Sequence, residues 1–272
     1  FLAALLAAVW ILGMSAPVFA GSSPVDRVLS DTADYVYQLV RDPSVGSLGG
    51  EWAVIGLARS GRAIPPEYFD QYYANLVDCL KASDGVLHSK KYTEYSRVIL
   101  ALTAIGRNPA DVAGYDLLLP LGDFDKTIWQ GINGPAWALI ALDSGSYAMP
   151  QNPHAATQAT RTMYVDAILS RQLANGGFSL TGTGGSQEAA DPDVTGMVLQ
   201  ALAKYQDRTD VKTATGKALS CLSGLQDDLG GYSSGGIANP ESCVQVILAL
   251  NELGIPLEDP RFIKNGRGLV DN

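Results

Sequence analysis

Apolar positions along the chain gather into five segments that share one pattern. They read EWAVIGLARSG (51–61), TEYSRVILALTAIG (93–106), NGPAWALIALDSG (133–145), DPDVTGMVLQALAKY (191–205) and PESCVQVILALNELG (240–254). Each opens on polar residues, runs through apolar ones with a Gly-Leu or Ala-Leu pair, and mostly closes near a glycine. Superposed on Leu57, Leu102, Leu142, Leu202 and Leu250, the segments recur at spacings of 45, 40, 60 and 48 residues. That is the scale of a two-helix repeat. A helix that is apolar almost all round must be buried on most sides.

Four segments between them are amphipathic: PVDRVLSDTADYVYQLV (24–40), PEYFDQYYANLVDCLKA (66–82), ATRTMYVDAILSRQLA (159–174) and DVKTATGKALSCLSGLQ (210–226). Pro24 and Pro66 stand where a first helical turn tolerates proline. Alternation of a polar-faced helix with a buried one predicts an outer and an inner layer. No segment shows the period-2 alternation of a half-buried strand. The pattern therefore predicts an all-α protein, an α/α barrel or toroid of about ten helices. The segment EDPRFIKNGRGLVDN (258–272) opens like a further outer helix and has no inner partner. The helical domain, 21–272, is accordingly expected to be cut before its last helices.

Punctuation repeats as well. QLANGGFS (172–179) and QDDLGGYS (226–233) share Q-x-x-x-G-G-aromatic-Ser. The glycines supply turn conformations costly for other residues. The aromatic can pack over the turn, and the glutamine can bond carbonyls freed at the helix end. Two further stretches, 143–158 and 179–190, are rich in Gly, Ser, Thr and Pro and read as long connections.

The first residues, FLAALLAAVWILGMSAPVFAGSS, read as the apolar core and cleavage site of a secretory signal peptide over 1–20, truncated at its start. Pro17 and the small residues after it suit cleavage better than a continuing membrane helix. The expected address is secreted or cell-surface, with no membrane span after cleavage. Net charge is −9, which argues against nucleic acid or an anionic membrane as partner. Of three cysteines, Cys221 and Cys243 fall at similar distances from the loop joining two helices and form the best possible disulfide. No C-x-x-C is present and the histidines are His88 and His154, so no metal site is expected.

The Q-x-x-x-G-G-[FY] turns, each followed by an acidic helix start and L-x-A-L, resemble the terpenoid cyclase and protein prenyltransferase α/α-toroid superfamily. The turn is similar to the QW motif of squalene–hopene cyclases, with Phe178 and Tyr232 in place of tryptophan. More narrowly the chain resembles secreted bacterial proteins with prenyltransferase and squalene oxidase repeats, and the toroid of transcobalamin-like carriers. The likeness covers most of 24–272. It implies three kinds of function. One is a non-catalytic module binding a small ligand, with cobalamin or another corrinoid as the named candidate. In that case a β-domain is a possible downstream partner in the full-length protein. A second is an enzyme, a class II cyclase or a sugar-active α/α barrel; the third is a surface-adhesion or scaffold domain.

The cyclase reading rests on Asp191-Pro192-Asp193-Val194, which resembles D-x-D-D with Asp193 as the proton donor. Val194 replaces the last aspartate, and only 8% of residues are aromatic, few for a cavity that stabilises cations. The zinc ligand set of a prenyltransferase is absent. The ligand-binding candidates lie near the starts of the inner helices: Glu51 with Trp52, Tyr92 with Glu94, Trp129 with Asn133 and Trp137, Asp191 with Asp193, and Glu241. The repeat predicts them all at one end of a ring. For the acidic residues a plainer reading stands beside this: Asp191 caps its helix, Pro192 occupies the first turn and Asp193 complements the macrodipole.

Overall fold

The computed structural model describes residues 24–47, 49–181, 188–234 and 237–271. Residues 1–20, read as a signal peptide, lie outside these. Among the described residues ten α-helices follow in order: α1 Pro24–Leu39, α2 Glu51–Arg59, α3 Pro66–Ala82, α4 Thr93–Ala104, α5 Phe124–Thr127, α6 Asn133–Ser144, α7 Arg161–Leu169, α8 Pro192–Leu202, α9 Thr209–Leu225 and α10 Pro240–Glu252. The molecule is mostly helical, as its apolar periodicity predicts. No described helix is long and apolar enough to cross a membrane.

All five apolar segments become helices, α2, α4, α6, α8 and α10. They pack in chain order: α2 on α4, α4 on α6, α6 on α8, and α8 most extensively on α10. The superposed leucines Leu57, Leu102, Leu142, Leu202 and Leu250 are all essentially inaccessible. Amphipathic helices lie against this row, α1 on α2, α7 on α6 and α9 on α8. The α8–α10 contact depends on glycine: a Cβ on Gly196 would stand 2.9 Å from the backbone of Gln245. Over that contact Gln200 Nε2 donates to Gln245 Oε1 at 2.9 Å.

The two Gly-Gly-aromatic turns are structural copies. Gly176 and Gly230 take left-handed φ of 89° and 88°, where side chains are disfavoured. A Cβ on either would lie 2.7 Å from a backbone oxygen, of Lys217 or Gly268. Phe178 and Tyr232 are buried, and their carbonyls accept from the cap amides of the next helix, Asp191 N at 2.8 Å and Asn239 N at 2.9 Å. Each glutamine makes two bonds. Gln172 Nε2 donates to Gly176 O and to Ala214 O of α9, both at 2.8 Å. Gln226 Nε2 donates to Gly230 O and to Phe262 O, both at 2.9 Å. The side chain thus staples its turn to the following outer element, not only to its own helix end.

Three expectations change. The segment 258–272 does not begin an outer helix: Pro260–Phe262 is a 3-10 turn, and Asn265-Gly266 form a tight turn with positive φ at both residues. Ala113-Gly114 form the same turn, in a stretch of short 3-10 turns and the four-residue α5 that stands where alternation predicts an outer helix before α6. The glycine-bearing turns interrupt helical φ/ψ at both places. Second, α7 stops at Leu169, five residues short of the predicted end. Third, a minimal antiparallel pair, Ser233–Ser234 with Ile237–Ala238, breaks the all-helical pattern.

Candidate functional site

The predicted residues divide into groups instead of converging. Asn133, Asp191 and Asp193 share one cleft, of about 350 Å³, with Val194, Met197 and Gln245; Leu180 closes one side. The cleft draws on α6, α8 and α10 and on the connection before α8. Asp191 is the N-cap of α8, its side chain accepting from Val194 N at 3.0 Å, with Pro192 in the first turn. The plainer reading therefore holds for Asp191 and Pro192. Asp193 differs: it lines the cleft, its side chain is only partly accessible, and its Oδ1 is buried with no hydrogen-bond partner among the described residues. Buried polar atoms are nearly always bonded. Asn133 and Gln245 bring amide groups to the same space, while Leu180, Val194 and Met197 are apolar.

Glu51 and Glu94 belong to a second group, joined through Arg97. Glu51 is inaccessible and accepts from Gly46 N at 3.1 Å, Ser47 N at 2.8 Å, Tyr72 Oη at 3.1 Å and Arg97 Nε at 2.9 Å. All four donors are internal, so Glu51 ties the loop before α2 to α3 and α4 and is not presented to a ligand. This corrects its reading as a ligand residue: burial on four sides fixes a helix-start acid as structure. Arg97 also pairs with Glu94. Burial alone pulls the Arg97 guanidinium down, but its bonds to Glu94 and Glu51 outweigh that and leave its pKa raised. Burial, with the Glu51 carboxylate adding to it, pushes the Tyr72 hydroxyl far above its ordinary range.

Trp52 and Trp137 meet, their rings 5.6 Å apart across α4. Tyr92 is buried edge-on against Tyr95 at 5.3 Å and its hydroxyl is pushed up by burial. Trp129 is exposed, with Lys90 Nζ 5.7 Å from its ring. Glu241 is exposed in the first turn of α10, and the cap there is Asn239. Tyr92, Trp129 and Glu241 do not line the cleft that holds Asp193.

Cys221 and Cys243 are free thiols, which corrects the expected disulfide. The helices carrying them, α9 and α10, are not close neighbours; each packs on α8 instead. Burial raises both thiol pKa values. Among the described residues no group of His, Cys, Asp or Glu is arranged to hold a metal ion.

Gln245, Met197 and Leu180 were not singled out by chemistry. The first two could have been found by position: five residues before the superposed leucines the chain carries Trp52, Arg97, Trp137, Met197 and Gln245. Larger hollows, of about 490 and 570 Å³, lie against α9, the first beside the turn at 174–176 and the second beside Leu169 and Gln172, and hold none of the predicted residues. No family model matches the chain, and no match is found among curated proteins or among solved structures.

Proposed function

We propose that the chain is a non-catalytic binding module for a small ligand, built on an α/α toroid to which the row of five apolar helices contributes. The observation that carries this reading is the buried, unbonded Oδ1 of Asp193 in the cleft lined by Asn133 and Gln245. A ligand that donates a hydrogen bond there satisfies an atom that the described residues leave unsatisfied. The volume suits a small polar group with a short apolar body, at the lower end for ligand pockets. A corrinoid would enter by one of its amide-bearing arms, because the macrocycle is larger than the cleft. In this reading the protein acts outside the cell, as its N-terminal sequence suggests.

The cyclase alternative is less well supported. Val194 holds the place of the motif's last carboxyl, and none of the described residues lining the cleft is aromatic, so a carbocation would find no π-face there.

Titration with cobalamin, followed by absorbance and by thermal shift, tests the corrinoid reading; no change in either rejects it. Asp193→Asn keeps the shape and removes the charge. It should weaken any ligand held in the cleft by about tenfold or more. Unchanged affinity would move the site elsewhere.

A further inference from the structure

Trp52, Arg97, Trp137, Met197 and Gln245 share one register, five residues before the superposed leucines. Their helices pack side by side in that order, so these residues form one line across the row. The line is not core. The leucines are essentially inaccessible, whereas Trp52 is 41% exposed and Arg97, Trp137 and Gln245 are half-buried. Met197 and Gln245 already line the cleft of Asp193. One turn before the line stand Asn133 on α6 and Asp193 on α8, and residues four apart share a helix face. Asn133 lines the cleft, Trp137 follows it on the same face of α6, and the Trp137 ring meets that of Trp52. The cleft and the tryptophan pair are therefore neighbouring parts of one surface.

The two parts offer different chemistry. In the cleft, Asp193 presents an unbonded acceptor, and Asn133 both donates and accepts. The Gln245 oxygen is taken by Gln200, so Gln245 offers its amide hydrogens. No basic side chain stands among the described residues lining the cleft. Arg97, the cation on the line, is paired with Glu51 and Glu94. An anion finds no counter-charge here, and an ammonium has no use for the donors of Gln245. Hydroxyl groups, each donor and acceptor, use all three side chains. The tryptophan rings are 5.6 Å apart and inclined at 59°, so neither covers the face of the other. An aromatic face is weakly negative and suits the C–H groups on one side of a pyranose ring.

With the Asp193 cleft as the ligand site, we infer that its ligand is a neutral saccharide of at least two pyranose rings. One ring sets its hydroxyls on Asp193, Asn133 and Gln245. The next lays its C–H face on Trp137 and Trp52. The saccharide is held by hydrogen bonds and stacking, and no bond in it is broken.

Isothermal titration of the 272-residue chain with cellotriose, maltotriose, mannotriose and chitotriose, each against its monosaccharide, tests this. At least one trisaccharide should bind at least about tenfold more tightly than its monosaccharide. Trp52→Leu, at an exposed site, should remove that advantage and leave the monosaccharide affinity unchanged. Asp193→Asn should weaken both. Circular dichroism checks that each variant is folded. If no trisaccharide binds, or if its advantage survives Trp52→Leu, the saccharide inference is overturned. The cleft itself is judged separately: cobalamin binding that Asp193→Asn weakens would keep the cleft as a ligand site without the saccharide. Binding of either ligand that Asp193→Asn leaves unchanged would remove the cleft and the saccharide together.

Discussion

Glu51 shows how little a residue's type says about its use. In the sequence it is an acid at a helix start, no different from Asp193 or Glu241. In the fold it accepts four hydrogen bonds and never sees solvent. Its charge is matched by Arg97, whose side chain is 12% exposed. Removing one partner of such a pair leaves an uncompensated charge, so Arg97→Met should cost about 3–5 kcal/mol. Urea denaturation measures this. The double variant Arg97→Met with Glu51→Met should recover part of the loss, since removing both charges spares the desolvation. A double variant no more stable than the single one would show that Glu51 matters through its loop amides instead. Asp193 is the reverse case. Its neighbour Asp191 performs the expected capping, and Asp193 is left with an oxygen that nothing in the described protein satisfies.

At the scale of elements, the Gln-Gly-Gly-aromatic turn is where local sequence and long-range packing meet. Its glycines and its ring packed over the turn are dictated locally and were legible in the repeat; its bond to the next helix cap was not. The second bond of each glutamine, to Ala214 O or Phe262 O, reaches about forty residues ahead, and no local signal marks its acceptor. Gln172→Ala and Gln226→Ala should each destabilise by about 1–3 kcal/mol, because carbonyls lose their donor. Gln226, the more buried, should cost more; equal and negligible losses in chemical denaturation would reduce the motif to a turn signal. The start of α8 is legible because Pro192 and its cap Asp191 are local; the cap of α10, Asn239, is equally local and went unmarked beside Glu241. The 258–272 segment was misread because an acidic start with Pro260 also suits a 3-10 turn. Only the Asn265-Gly266 turn tells the two apart.

For the whole molecule, burial falls heavily on tyrosine. Tyr72, Tyr164, Tyr205 and Tyr232 all have hydroxyls raised above their ordinary value of 10.0, with burial the first cause in each. A raised folded-state pKa contributes stability that is intact below the unfolded value and is lost as pH climbs past it. The urea midpoint should therefore hold to about pH 9 and then fall steeply over the next two units. A flat profile there would mean that these hydroxyls ionise without unfolding.

What the sequence determined by itself was the set of elements: five apolar helices in register on their leucines, their amphipathic partners, the paired turns and the caps. Those follow from periodicity, proline and glycine conformation and side-chain capping, all of which act within a few residues. The tertiary structure alone decided which carboxylates are consumed and which is left over. Glu51 is satisfied by loop amides, by Tyr72 twenty-one residues on and by Arg97 forty-six residues on, while Asp193 faces a cleft assembled from α6, α8 and α10. It also set α9 and α10 each against α8, with Cys221 and Cys243 left as free thiols. The reason is physical: a polar group's fate depends on which donors and which apolar walls arrive from distant segments, and packing geometry, not composition, brings them.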